Sequence, residues 1–216
     1  MKWISKSKIE KGWSCDEKYC VTDETGTRYL LRITPREKCL YRQEMFQMQQ
    51  RVAALGVPMC RPVEFGTCEE GVYTVQTWIN GVDAEAYIPA LPAAEQYAYG
   101  RQAGEILQQI HTIPAPDGLP SWEEFNRIVW CAQSTPAFAC GMVDGYFPNG
   151  VPMLFWQLLA LYISSNSLSS VPWAIPFGEK EIQVMLDQAE DILSWYDNME
   201  QVIPSWYREK NTIVEP

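Results

Sequence analysis

The chain has 216 residues, 47% hydrophobic, 20% charged and 12% aromatic with nine Trp, a composition that folds into a core and excludes intrinsic disorder. Its 17 Lys and Arg against 27 Asp and Glu leave a formal net charge of −10. That balance opposes binding to nucleic acid or an anionic membrane and permits a cationic small-molecule partner, the plain alternative being that the acidity serves solubility.

At the N-terminus, Met1-Lys2-Trp3-Ile4-Ser5-Lys6 turns polar at once, unlike a secretion leader. The longest apolar run, Val151 to Ile163, contains Pro152 and Gln157 and falls short of the roughly 20 residues of a membrane span, so it reads as a buried helix. Seven cysteines, at 15, 20, 39, 60, 68, 131 and 140, form no C-x-x-C pair. An odd count without a leader predicts reduced thiols and a cytoplasmic location. His111 is the single histidine, and no metal site is expected.

Lys18 to Thr22 and Arg28 to Ile33 are rich in β-formers and flank the turn signal Asp23-Glu-Thr-Gly26, which predicts a hairpin. Arg36 to Leu55 has no proline, carries Met45, Met48, Val52 and Leu55 at helical spacing and is stopped by Gly56. Pro62 to Phe65 and Val72 to Ile79 straddle Gly66 and Gly71 as a second hairpin. From Asn80 the period is helical. Ala93 to His111 puts Tyr97, Gly100, Gly104, Leu107 and His111 on one stripe. Pro114, Pro116 and Pro120 then impose a loop, and the capping box Ser121-Trp-Glu-Glu124 opens a helix through Gln133. Further helices are predicted at Pro152 to Ser164 and Glu179 to Met199. The expected fold class is α+β: a five-stranded antiparallel lobe with one helix over 1–79, then an all-helical lobe over 80–216.

Several strings carry a resemblance. In the first half these are Lys11-Gly-Trp-Ser-x-Asp-x-Lys-Tyr19, Tyr29-Leu-Leu-Arg-Ile33, Leu55-Gly-Val-Pro-Met-Cys-x-Pro-Val-Glu-Phe-Gly66, Thr77-Trp-Ile-Asn-Gly-x-Asp-Ala-Glu85 and Ile110-His-Thr-Ile-Pro114. Later come Asp144-Gly-Tyr-Phe147, Phe155-Trp-x-Leu-Leu-Ala-Leu-Tyr162, Pro172-Trp-Ala-Ile-x-Phe-Gly178 and Ile192-Leu-x-Trp-Tyr-Asp197. In order and spacing the set resembles the aminoglycoside phosphotransferase family, which implies a kinase-like fold that holds ATP or GTP. Phosphoryl transfer spreads negative charge over oxygens, so it needs positioned cations. By the resemblance, Arg32 stands where kinases keep a strand lysine and Glu44 is the helix acid that orients it. The segment Gln76 to Ile79, with Trp78, forms the hinge against a purine edge. Arginine is a planar fork rather than a point charge, so it is not a neutral exchange for lysine. The competing reading makes Arg32 and Glu44 surface charges and Trp78 a core residue.

The family's H-G-D-x-H-x-x-N loop and I-D-x-D strand, which position the acceptor hydroxyl and hold Mg²⁺, do not occur here, and one histidine cannot make H-G-D-x-H. No catalytic residue and no metal ligand is therefore assigned. The chain reads as a truncated member, joined between about Pro116 and Ser121, and as inactive. A non-catalytic pseudokinase module that binds nucleotide or a partner is the alternative. Asp144 to Asn149 has the D-x-x-x-x-N spacing of a catalytic loop, but no histidine precedes it and no acidic strand follows. Loss of the segment should bare apolar surface near Phe155, Trp156 and Trp173, which predicts self-association.

Overall fold

A computed structural model of the chain describes residues 2–11, 14, 16–114, 131–209 and 211. The expected join near 116–121 and the capping box at Ser121 lie outside the described residues. The chain divides into two compact units, Met1–Val82 and Asp83–Pro216. The architecture is the α+β, kinase-like arrangement of an antiparallel β unit with a helix and a helical unit.

The first unit contains β1 (Trp3–Lys8), β2 (Glu17–Asp23), β3 (Arg28–Thr34), helix α1 (Cys39–Ala54), β4 (Pro62–Cys68) and β5 (Gly71–Thr77). The five strands form one antiparallel sheet in the order β1-β2-β3-β5-β4. The β2–β3 turn is closed by Asp23, whose Oδ1 accepts from the backbone N–H groups of Thr25 and Thr27 at 2.9 and 3.0 Å. Strand β1 carried no sequence signal because all but Trp3 are exposed, and its lysines blunt a sheet edge rather than fill a core.

Strand alternation sorts the side chains. On one face Val21, Leu31, Ile33 and Val75 make a buried cluster bordered by Trp3, Tyr19, Tyr29 and Tyr73. The other face carries Arg32, Thr34, Thr74 and Gln76 and receives α1. The helix meets the sheet through Arg42, Phe46 and Gln49, spaced i, i+4, i+7. Phe46 sits against Phe65 at 5.8 Å between ring centroids, and Gln49 Oε1 accepts from Gln76 Nε2 at 2.7 Å. The expected stripe of Met45, Met48, Val52 and Leu55 is only half-buried, so the contact seam is rotated toward Phe46. Gly56 follows the helix at φ 80°, a left-handed cap that costs glycine little.

The second unit contains α2 (Ala84–Tyr87), α3 (Ala93–Ile110), α4 (Pro136–Tyr146), α5 (Met153–Ala174), α6 (Glu179–Trp195) and α7 (Ser205–Arg208). Its core joins Ala139, Cys140 and Val143 of α4 to Trp156, Leu159 and Ile163 of α5, Ile192 and Tyr196 at the end of α6, and Trp206 of α7. Two helix ends depart from expectation. Helix α5 runs past Ser164 to Ala174 although the continuation is serine-rich: Ser170 and Ala174 are buried, and the hydroxyls of Ser164, Ser167 and Ser170 bond back to the carbonyls of Leu161, Ile163 and Ser167 at 2.8, 2.9 and 3.1 Å. Those bonds satisfy the side chains without leaving the helix. Helix α6 stops at Trp195, short of Met199, because Asp197, Asn198 and Met199 all have positive φ.

Helices α3 and α4 meet backbone to backbone. Gly100 and Gly104 on α3 face Gly141 and Gly145 on α4, both pairs at G-x-x-x-G spacing. A Cβ at Gly100 or Gly104 would fall on the carbonyl oxygen of Phe138 or Met142, and one at Gly141 or Gly145 on that of Tyr97 or Arg101. Only hydrogen fits, and the approach brings Cα–H groups toward carbonyls. Alanine at Gly104 would gain about 1 kcal/mol of helix propensity. Overpacking costs roughly 1–3 kcal/mol, and here the obstruction is main chain that cannot rotate away. The net for Gly104→Ala or Gly141→Ala is therefore a loss, expected as a melting temperature lowered by at least about 3 °C. Gly81→Ala, with nothing within 4 Å of its Cβ, is the matched control and should melt like the wild type. Equal melts for all three variants by circular dichroism would show that the helices can part without cost.

Candidate functional site

The sheet register builds a charged cluster. Glu17 pairs with Ile33, so Asp16, one residue before β2, lies beside Thr34 at the end of β3. Arg32 is two residues back on the same strand face, and Arg42 reaches over from the first turns of α1. The Asp16 side chain is 1% exposed, Arg32 26% and Arg42 17%. Asp16 Oδ1 accepts from the Thr34 hydroxyl at 2.9 Å. Its Oδ2 accepts from Arg32 Nη2 at 2.7 Å and also from Arg42 Nη2. Arg42 Nε donates to Thr34 Oγ1 at 3.1 Å, which closes the ring. Both carboxylate oxygens are thus engaged, the condition under which a buried ion pair is tolerated. Burial pushes the Asp16 carboxyl up, but the hydrogen bonds from Thr34, Arg42 and Arg32 outweigh it and hold its pKa below the ordinary carboxylate value.

Arg32 is not fully satisfied: its Nε is buried and has no partner among the described residues. A buried donor left unpaired costs roughly 1–3 kcal/mol, so the guanidinium is held with bonding capacity in reserve.

The residues singled out from the sequence are placed as follows. Arg32 and Gln76 share the α1 face of the sheet, since Arg32 pairs with Thr74 and Leu30 with Gln76. Gln76 is buried and spends its amide on Gln49. Beyond the end of β5, Trp78 is half-buried with the Arg28 guanidinium 5.7 Å from its ring, and Ile79 is exposed. Glu44 is exposed on α1 and is not joined to Arg32, whose acid is Asp16. Sequence reasoning quoted Asp16 within a matching string but gave it no role, and it passed over Thr34 and Arg42. Extending the expected hairpin two residues before Lys18 and one beyond Ile33 would have placed 16 beside 34.

In the second unit, Nδ1 of the single histidine, His111, lies 2.6 Å from the Tyr146 hydroxyl. Asp144 is on helix α4 rather than in a loop and accepts the hydroxyls of Tyr97 and Tyr207, both at 2.6 Å. Burial and the bond to Asp144 push the Tyr207 hydroxyl pKa well up. The D-x-x-x-x-N spacing there is part of the helix packing. Among the described residues no group of three or more His, Cys, Asp and Glu could hold a metal ion. No helix among them is long and apolar enough to cross a membrane.

The family model described as the phosphotransferase enzyme family, APH, matches residues 7–139, more than half of the sequence, and the chain belongs to that family. Among solved structures the chain is similar to the amicoumacin kinase hAmiN, solved in complex with AMP-PNP, Ca²⁺ and Ami. The TM-score is 0.54 at 12% identity, over 91% of this chain and 90% of that one, a likeness of fold. A second match is the aminoglycoside phosphotransferase APH(3'')-Id from Streptomyces rimosus, with TM-score 0.40 and 10% identity over 77% of this chain and 59% of that one. No curated protein matches the sequence.

The depressed Asp16 pKa fixes a sign. Its contribution to stability is fully present above the unfolded carboxylate value near 4 and is lost as pH falls through the lower folded value. Asp16→Asn should melt below the wild type at pH 7, and the gap should narrow as pH is lowered from about 4 toward 2.5. A gap that stays constant over that range would mean the carboxylate charge is not what the cluster depends on.

Proposed function

We propose that this phosphotransferase-family chain binds a purine nucleoside triphosphate through its sheet unit and does not transfer the phosphoryl group. The observation that carries the reading is Arg32, a guanidinium fixed on β3 by a buried carboxylate yet 26% exposed, with its Nε unpaired among the described residues. ATP or GTP would place its phosphates toward Arg32 and its purine edge against the main chain of Gln76 to Ile79, where β5 ends and the backbone leaves the ladder. The nucleotide-holding lobe is then 1–79 and the helical remainder 80–216.

The inactive half of the reading rests on sequence strings. Neither H-G-D-x-H-x-x-N nor I-D-x-D occurs, and the single histidine is engaged with Tyr146. It does not rest on matched length, since hAmiN is covered over 90% of its chain. Among the described residues no group of His, Cys, Asp and Glu could hold the Mg²⁺ that the family uses, so no step is routed through it. Purified protein with Mg²⁺ and ATP or GTP should show no acceptor-dependent nucleotide consumption with aminoglycosides or other hydroxyl compounds, measured by coupled ADP or GDP release. Saturable, acceptor-dependent turnover would overturn the proposal.

A second reading, a partner-binding module, draws on a specific surface. Helix α5 contains no charged residue, and Leu154, Leu161 and Leu168 recur along it every seven residues at 62%, 60% and 83% exposure. The residues first expected to be bare divide, with Trp156 buried, Phe155 half-buried and Trp173 exposed. A charge-free seam with heptad spacing suits a second copy of the same helix. Light scattering should therefore show a concentration-dependent dimer that Leu161→Glu with Leu168→Glu dissociates. A wild-type monomer at high concentration counts against it.

A further inference from the structure

We infer that Arg32 and Arg42, bridged by Asp16, form a two-guanidinium anion site that takes the phosphate chain of its ligand without requiring a metal ion. The inference rests on the nucleotide reading for the ligand's class and goes beyond it in Arg42, Asp16 and the independence from metal.

Charge balance carries the argument. A clamp whose only task was to tie α1 to the sheet would need one cation for one carboxylate. Here two guanidiniums converge on a single oxygen of Asp16, and Thr34 Oγ1 is shared between Asp16 and Arg42. Lys18 pairs with Arg32 across β2 and β3 and so shares its face, and its Nζ donates to the carbonyl of Lys11 at 2.6 Å, a neutral acceptor. Among the described residues the cluster sets two guanidiniums against one carboxylate, an excess of positive charge in a chain whose net charge is −10. Like charges gathered in a partly buried place raise the free energy unless an anion joins them.

The chemistry of the donors selects the anion. A guanidinium presents N–H groups in a planar fork that matches the oxygens of phosphate, and its charge does not titrate. Asp16 consumes one Nη on each arginine, that of Arg32 also lying 3.4 Å from Ser14 Oγ, which leaves the other Nη of each for a ligand. The partial exposure of both side chains, 26% and 17%, lets an anion approach while most of the surrounding water is gone. Metal ions neutralise phosphate charge in phosphoryl-transfer sites. Fixed guanidiniums can do the same for binding, which is suited to a chain whose sequence lacks the family's metal-ligand strings.

The test is titration calorimetry at constant ionic strength in EDTA, with inorganic tripolyphosphate, ATP and adenosine as probes. Wild type should bind tripolyphosphate and ATP saturably, and adding Mg²⁺ in place of EDTA should leave the affinity for ATP nearly unchanged. Arg42→Gln should weaken both anions by roughly tenfold or more, the loss expected for a charge-assisted contact, and leave adenosine unaffected. Arg42→Lys, which keeps the charge, should recover part of the loss. Arg51→Gln removes an exposed arginine from the same helix and should bind as wild type. Because Arg42 also ties α1 to the sheet, melts accompany each titration. Should the glutamine variant not fold, the lysine variant and the salt dependence of tripolyphosphate binding by wild type carry the test.

Unchanged tripolyphosphate affinity in folded Arg42→Gln, or ATP binding that needs Mg²⁺, overturns the inference while leaving nucleotide binding standing. Adenosine and ATP binding equally with no affinity for tripolyphosphate does the same. Arg42-dependent binding of tripolyphosphate with ATP no tighter upholds the anion site and refutes the nucleotide reading.

Discussion

A carboxylate that is 1% exposed cannot stay ionised unless its surroundings replace the water it has lost, and Asp16 sets the terms for the unit around it. Both oxygens are satisfied, one by Thr34 and the other by Arg32 and Arg42. The three partners come from the end of a strand, its middle and the following helix, so meeting the needs of one side chain aligns β2 with β3 and pins α1 across the sheet. Phe46 on Phe65 and Gln49 on Gln76 then continue the seam away from the charges, apolar and neutral in turn. Helix position, strand register and the aim of Arg32 are one linked arrangement.

In the second unit the corresponding constraint is steric. Four glycines let α3 and α4 approach until the main chains touch, and the side chains at the margins are ordered by that approach: Tyr97 reaches Asp144, Gln108 reaches the carbonyl of Tyr146 at 2.7 Å, and His111 reaches the Tyr146 hydroxyl. Asp144 and His111 are thereby tied into the packing of α3 and α4.

Membership in the phosphotransferase family and the kinase-like fold follow from the family match and the architecture. The particular activity is a separate question, since function lives in sites grafted on folds. In this chain Arg32 on β3 is paired with an acid from the residue before β2. A guanidinium gripped by a carboxylate on one edge can still present its other N–H groups, which lysine held by the same partner could do less well.

Much of the fold was legible in the sequence because its signals are local. The Asp23 to Gly26 turn, the strands on either side of it, Gly56 after α1 and the helical period from Ala93 need only neighbouring residues and the preferences of the backbone. Strand β1 and the serine-rich half of α5 were not legible. One owes its place to edge pairing without burial, the other to the burial of Ser170 and Ala174 in a helix whose serine hydroxyls bond within it. The candidate site divides in the same way. The sequence marked Arg32 on its strand and, by the resemblance, Gln76 to Ile79 as the hinge. By the resemblance it gave Arg32 the helix acid Glu44 and gave Asp16 no role, because a string does not show which acid reaches the guanidinium. That choice depends on hairpin register, which places Asp16 beside Thr34, and on the rotation of α1, which turns Arg42 toward the sheet and Glu44 to solvent. Both are set by packing between segments distant in sequence, and only the tertiary structure contains them.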